Sequence, residues 1–153
     1  MIVTIDFEAL YAYKRGDYQR CLQLSTQNVL TLWQAGKPRL HSVPTYPDFI
    51  QLLDDDVVSL IALTLIVTPE CRYHTNGFCI DQLTLSLYLM TQCQLKLRHS
   101  VTSFAQTLIN IKVAQRRIRR EFTLDQSTLK LAESKVTERL RTQTDDSNVV
   151  VLQ

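Results

Sequence analysis

The sequence predicts an all-α fold, a stack of helical hairpins or a bundle of about six helices. Its 153 residues contain only three glycines and four prolines. An all-β sandwich needs a turn every ten residues or so, usually built with these residues. Long segments free of both carry apolar residues at helical spacing, and Gly16 separates the first two of them. The length suits one domain with its own core, expected over residues 1–142, with a polar, disordered tail over 143–153.

The first helix is expected from about Thr4 to Arg15, ended by Gly16. Asp17 opens the second, because its carboxylate can accept bonds from the first free amides. Tyr18, Cys21, Leu22, Val29 and Trp33 form its stripe, and Gly36-Lys37-Pro38 stops it, closing a hairpin over residues 4–35. Pro38, Pro44 and Pro47 make residues 36–47 a loop that no helix can cross. Helices then occupy residues 48–141. Asp48 can cap a short turn through Phe49, Ile50, Leu52 and Leu53.

Asp54, Asp55 and Asp56 precede a third helix ending near Thr68-Pro69, where acidic side chains meet the exposed amides. Consecutive helical residues point about 100° apart, so this triplet suits capping better than a cation loop. A second loop covers residues 69–77, and Asp81 caps a fourth segment reaching about Arg98. Leu83, Leu85, Leu87 and Leu89 alternate as in a strand, whereas Leu83, Leu87, Met90 and Leu97 keep the helical period. A run of about 18 residues without Gly or Pro is long for a strand, which favours a helix. Such a helix is apolar around most of its circumference and is expected at the centre of the fold. The fifth helix starts near Ser100 with Val101, Phe104, Ala105, Leu108, Ile111 and Ile118. The sixth starts at Thr123, and its charged composition suggests a covering helix.

One stretch has a family resemblance. Ala9 is small, Tyr13-Lys14 precede the turn, Gly16-Asp17-Tyr18 form it, and Cys21 is the small residue of the returning helix. This pattern resembles a tetratricopeptide (TPR) repeat, over about residues 4–35. A fainter echo runs over about residues 89–119 through Cys93, Leu97, Ser100, Thr102 and Ala105. Glu8, Ser25 and Trp33 stand where the family usually has leucine, an aromatic residue and proline. The resemblance implies stacked helical hairpins that bind other proteins. One repeat does not map onto the family's carboxylate clamp, so no site is carried over. An irregular bundle holding one such hairpin has the same fold class.

The net charge of +2 argues against nucleic-acid or membrane partners. The most apolar run, Val57 to Val67, is too short for a span of roughly 20 residues. Met1 to Glu8 lacks a basic n-region, so no signal peptide is expected. Cys21, Cys71, Cys79 and Cys93 are then expected as reduced thiols in the cytoplasm or nucleus.

Cys71, His74 and Cys79 have zinc-like spacing, but the fourth ligand would have to come from His41, His99 or Cys93, and no metal site is expected. His41, His74 and His99 are the general-base candidates, without an active-site motif around them. Neither enzyme nor cofactor is expected. The candidate partner-binding residues are Lys14 and Arg15 at the hairpin turn and the stripe Lys112, Arg116, Arg119 and Arg120, beside Arg117. The stripe can grip an acidic partner or phosphates, or act in nuclear import; its plain alternative is cations at a helix carboxyl end. No aromatic residues are interleaved for base stacking. The expected function is a non-enzymatic protein–protein interaction module binding a peptide or helix of a partner. The alternatives are a nucleic-acid-associated or nuclear protein using the basic stripe, and a fragment or degenerate paralogue of a longer repeat protein.

Overall fold

The structure, a computed structural model, describes residues 2–34, 42–44, 52–67, 79–118 and 123–151. These form six helices, α1 (Ile2–Lys14), α2 (Tyr18–Gln34), α3 (Asp55–Val67), α4 (Gln82–Leu97), α5 (Val101–Arg117) and α6 (Thr123–Val151). Two three-residue strands, β1 (Ser42–Pro44) and β2 (Cys79–Asp81), pair antiparallel, with Val43 opposite Ile80. The all-α expectation holds, with this ribbon as an addition: β1 lies inside the loop expected over 36–47, and β2 lies between the loop expected over 69–77 and the start of α4. The ribbon ties the chain before α3 to the entry of α4.

Helix α4 is the centre. Every residue from Gln82 to Gln94 is buried, and α1, α2, α5 and α6 all pack on it. Its alternating leucines are therefore core residues on different sides of one helix. The strand-like alternation arises because all sides are buried, which removes any polar face to set a period. Arg98 ends the helix in the left-handed conformation at φ 53°, its N–H reaching the carbonyls of Gln94 and Leu95. Ser100 opens α5 by accepting the Ser103 N–H.

The first hairpin closes at Gly16, whose φ of +80° suits a residue without Cβ. Asp17 then accepts the Arg20 N–H at 3.2 Å, as an N-cap should. Ala9, Ala12 and Cys21 are fully buried, so α1 and α2 meet through small side chains. Tyr13 and Tyr18 meet edge to face across the open end, centroids 5.6 Å apart. The buried side of α2 is Cys21, Leu24, Ser25, Asn28 and Val29. It thus includes two polar residues, while Tyr18, Leu22 and Trp33 are only partly buried. At the fainter echo, Thr102 and Ala105 are exposed, so they do not act as Tyr18 and Cys21 do. There α4 and α5 are joined instead by the Thr107 hydroxyl donating to Gln94 Oε1 at 2.8 Å.

Two carboxylates pin distant segments. Asp54 precedes α3, and its side chain also reaches well beyond that helix: Oδ2 accepts from Gln92 Nε2 (2.6 Å), Tyr13 OH (3.1 Å) and Tyr88 OH (3.2 Å). Burial pushes this carboxyl up, yet the bonds from Gln92, Tyr13 and Tyr88 overcome that and hold it below the usual range. Burial and the Asp54 charge push both phenols up, so they stay protonated donors. Asp125, buried in the first turn of α6, accepts the Asp81 N–H at 2.8 Å. Burial pushes it up to about 6 despite that bond, and the neighbouring Asp81 carboxylate adds to the rise.

Helix α6 runs unbroken to Val151, beyond Gln143 where the tail was expected to be disordered. No glycine or proline lies between Thr123 and Gln153 to stop it. Lys135 on α6 pairs with Asp56 of α3 at 3.1 Å. The expected short turn from Asp48 lies mostly outside the described residues. Among them, no helix is both long and apolar enough to cross a membrane.

The two carboxylates set opposite pH dependences. Asp54 is held low, so its contribution is present above the unfolded value near 4 and is lost as pH falls through the folded pKa. Asp54→Ala should lower stability at pH 7 by about 2 kcal/mol, read by urea denaturation. Asp125 is held high, so its contribution is present below about 4 and is lost as pH rises through about 6. Asp125→Asn keeps an acceptor for the Asp81 N–H without the charge. It should remove a loss on the order of 3 kcal/mol between those limits. Wild-type and Asp125→Asn denaturation curves that move in parallel from pH 4 to pH 7 would exclude this assignment.

Candidate basic groove between helices α5 and α6

The groove starts from how α6 closes the end of α5. An α-helix leaves its last carbonyls without intrahelical partners. Here Gln126, in the second turn of α6, donates its Nε2 to the carbonyls of Ile118 (2.9 Å) and Gln115 (3.2 Å). Ile118, buried, caps α5 in extended conformation with its N–H on the Ala114 carbonyl. Ala114 and Ala132 are both fully buried, so small side chains line the inner faces of the two helices.

Outside this contact lies an open cleft of about 550 Å³ lined by Lys112, Gln115, Arg116, Ile118 and Glu133. Gln115 Nε2 donates to Glu133 Oε2 at 2.8 Å, joining the two helices. Lys112 and Arg116 stand one turn apart on α5 and are exposed. Neither makes an ion pair or hydrogen bond among the described residues. Glu133, the acidic residue of the cleft, accepts from Gln115 and forms no ion pair with either cation, so it offsets their charge only in part. The result is two ready cations on one wall of a concave surface.

Among the described partner-binding candidates, Lys112 and Arg116 share this cleft. Arg15 lines a separate hollow of about 340 Å³ on the first hairpin with Glu8, Tyr11 and Arg20, where Glu8 and Arg20 approach to 3.9 Å. Lys14 is exposed in the last turn of α1. Arg119 and Arg120 lie outside the described residues. Arg117, beside the stripe, points elsewhere: its guanidinium carbon sits 4.5 Å from the centre of the Trp33 ring, tying the end of α5 to the end of α2.

Among the zinc-like residues, Cys71, His74 and His41 lie outside the described residues, and Cys79 begins β2. Cys93 is buried on α4, where the Cys21 thiol and burial push its own thiol up. Among the described residues, no three His, Cys, Asp or Glu side chains converge as a metal site would require. His99 sits in the α4–α5 turn, with its backbone N–H on the Gln94 carbonyl.

The sequence reading missed Gln115, Gln126 and Glu133. Glutamine and glutamate on a polar helix face have no periodic signature, and their roles exist only once α5 and α6 are side by side. No protein-family model matches the chain, and no curated protein or solved structure matches it.

Trp33 is the sole tryptophan and reports on the Arg117 contact. Arg117→Ala should shift its fluorescence emission and cost about 0.5–1 kcal/mol in denaturant. An unchanged emission spectrum would show that the stack does not form in solution.

Proposed function

We propose that the chain is a non-enzymatic protein–protein interaction module that takes an acidic peptide or helix of a partner in the α5–α6 groove. The observation that carries this reading is the Lys112–Arg116 couple on the wall of the open cleft, unpaired among the described residues. Exposed cations on a concave surface meet carboxylates with little desolvation of their own, and an arginine can take a carboxylate through two parallel bonds. A TPR-like construction of the first hairpin is supported by the burial of Ala9 and Cys21 and by the edge-to-face contact of Tyr13 with Tyr18.

The test is fluorescence anisotropy of a labelled Glu/Asp-rich peptide with the full chain. Lys112→Glu with Arg116→Glu should weaken binding at least about tenfold while leaving the thermal midpoint unchanged, because both side chains are exposed. Lys14→Glu with Arg15→Glu, at the hairpin turn, should change it less than about twofold. Equal loss in both double variants would show general charge attraction and defeat the groove assignment.

A further inference from the structure

Helix α5 has a second surface running into the groove. Its core side carries Phe104, Thr107, Ile111 and Ala114, all buried. At 100° per residue, Val101, Ala105, Ile109, Lys112 and Arg116 fall within one arc of roughly 80°, turned away from that side. All five are exposed, Val101 by 50% and Ile109 by 56%. The stripe is segregated by chemistry: three apolar residues come first and two cations follow. Lone apolar residues on a surface are ordinary. Here three are aligned on one helix and lead directly to unpaired cations.

Charge complementarity selects the occupant. A covering element needs carboxylates over Lys112 and Arg116 and apolar side chains over Val101, Ala105 and Ile109. A second copy of this stripe offers no carboxylate. Packed parallel it would set cation on cation, and packed antiparallel over its full length it would set Arg116 on Val101 and Lys112 on Ala105. A nucleic-acid strand finds no aromatic ring on the stripe to stack on, and its phosphates gain nothing from the apolar half. A helix presenting one face of mixed character satisfies both halves. The stripe spans about 22 Å along the axis, or roughly four turns.

We propose that the outer stripe of α5 is a docking surface for an amphipathic helix of a partner protein, apolar where it meets Val101, Ala105 and Ile109 and acidic where it meets Lys112 and Arg116. This rests on the interaction-module reading and adds the chemistry and secondary structure of the partner.

The experiment uses the full chain and two labelled synthetic peptides of about 18 residues with identical composition. One is a helix former with leucines on one face of one half and glutamates on the same face of the other half. The second is a scramble that keeps the charge and loses the face. The patterned peptide should bind at least tenfold more tightly by anisotropy. Ile109→Glu should abolish that preference while leaving the weaker binding of the scramble within about twofold, and Lys112→Glu with Arg116→Glu should weaken both. Far-ultraviolet circular dichroism checks that the variants keep their helices; Ile109→Ser, which adds no charge, repeats the preference measurement.

Equal binding of the two peptides, lost in the Lys112/Arg116 variant, would overturn the amphipathic-helix inference and leave the acidic-peptide groove standing. Absence of binding by either peptide would overturn both. Tighter binding of a single-stranded oligonucleotide than of the patterned peptide would overturn the inference in favour of a polyanion. A sedimentation mass that doubles with concentration and returns to monomer in Ile109→Glu would overturn it in favour of a second copy.

Discussion

A helix buried on every side constrains the rest of this structure. Helix α4 has no solvent face between Gln82 and Gln94, so other elements must cover it all round. Helices α1 and α2 cover it from the hairpin side, α5 and α6 from the other, and β2 leads into its first turn. Removal of its leucines and Met90 from water drives the assembly, since each buried side chain of that kind contributes about 1.5–3 kcal/mol before the entropy of ordering is set against it. Small residues on the covering helices (Ala9, Ala12, Cys21, Ala114, Ala132) allow close approach within the layers that wrap it.

Full burial favours internal partners for the polar residues of α4, and several find one, whereas Gln82 Oε1 and Ser86 Oγ have none among the described residues. Thr91 returns its hydroxyl to the Leu87 carbonyl in its own helix. Gln94 accepts from Thr107 on α5, while Tyr88 and Gln92 converge with Tyr13 on the Asp54 carboxylate. These contacts choose neighbours in a way that apolar packing cannot. A leucine accepts many surroundings, whereas a buried amide or phenol needs one acceptor at one distance. Asp54 in this way links α1, α4 and the start of α3, and Asp125 links the start of α4 to α6. The first is stabilised as an anion by three donors; the second is pushed toward its neutral form by burial beside Asp81.

The outward-facing surface follows from the same arrangement. Because α5 covers α4 with one side only, its opposite side is left to solvent, and the residues there are free of the core's demands. That Val101 and Ile109 remain exposed beside Lys112 and Arg116 is therefore not explained by packing on α4. Gln126 and Glu133 shape the groove from α6: the first secures the end of α5, and the second engages Gln115 and leaves the cations unpaired.

Much of the architecture was legible in the sequence because it depends on local physics. Gly16 and Asp17 end one helix and start the next, Ser100 caps α5, and the absence of helix breakers sustains α4 and α6. Each works within a few residues of itself. Lys112 and Arg116 were also legible as a pair, because a helix one turn long decides that they are neighbours. The sequence pattern was weakest where burial was complete: the leucines of α4 alternate as in a strand, since a helix covered on all sides has no reason to show a polar period. What only the tertiary structure decided are relations across 30 residues or more. Asp54 looks like one of three capping aspartates and becomes the acceptor for Tyr13, Tyr88 and Gln92; Asp125 looks like a first-turn acid and becomes a buried acceptor for Asp81; Arg117 looks like one more cation of a basic cluster and lies on Trp33. A hydrogen bond or a cation over a ring depends on distance and angle between side chains far apart in the chain, and residue order alone contains neither.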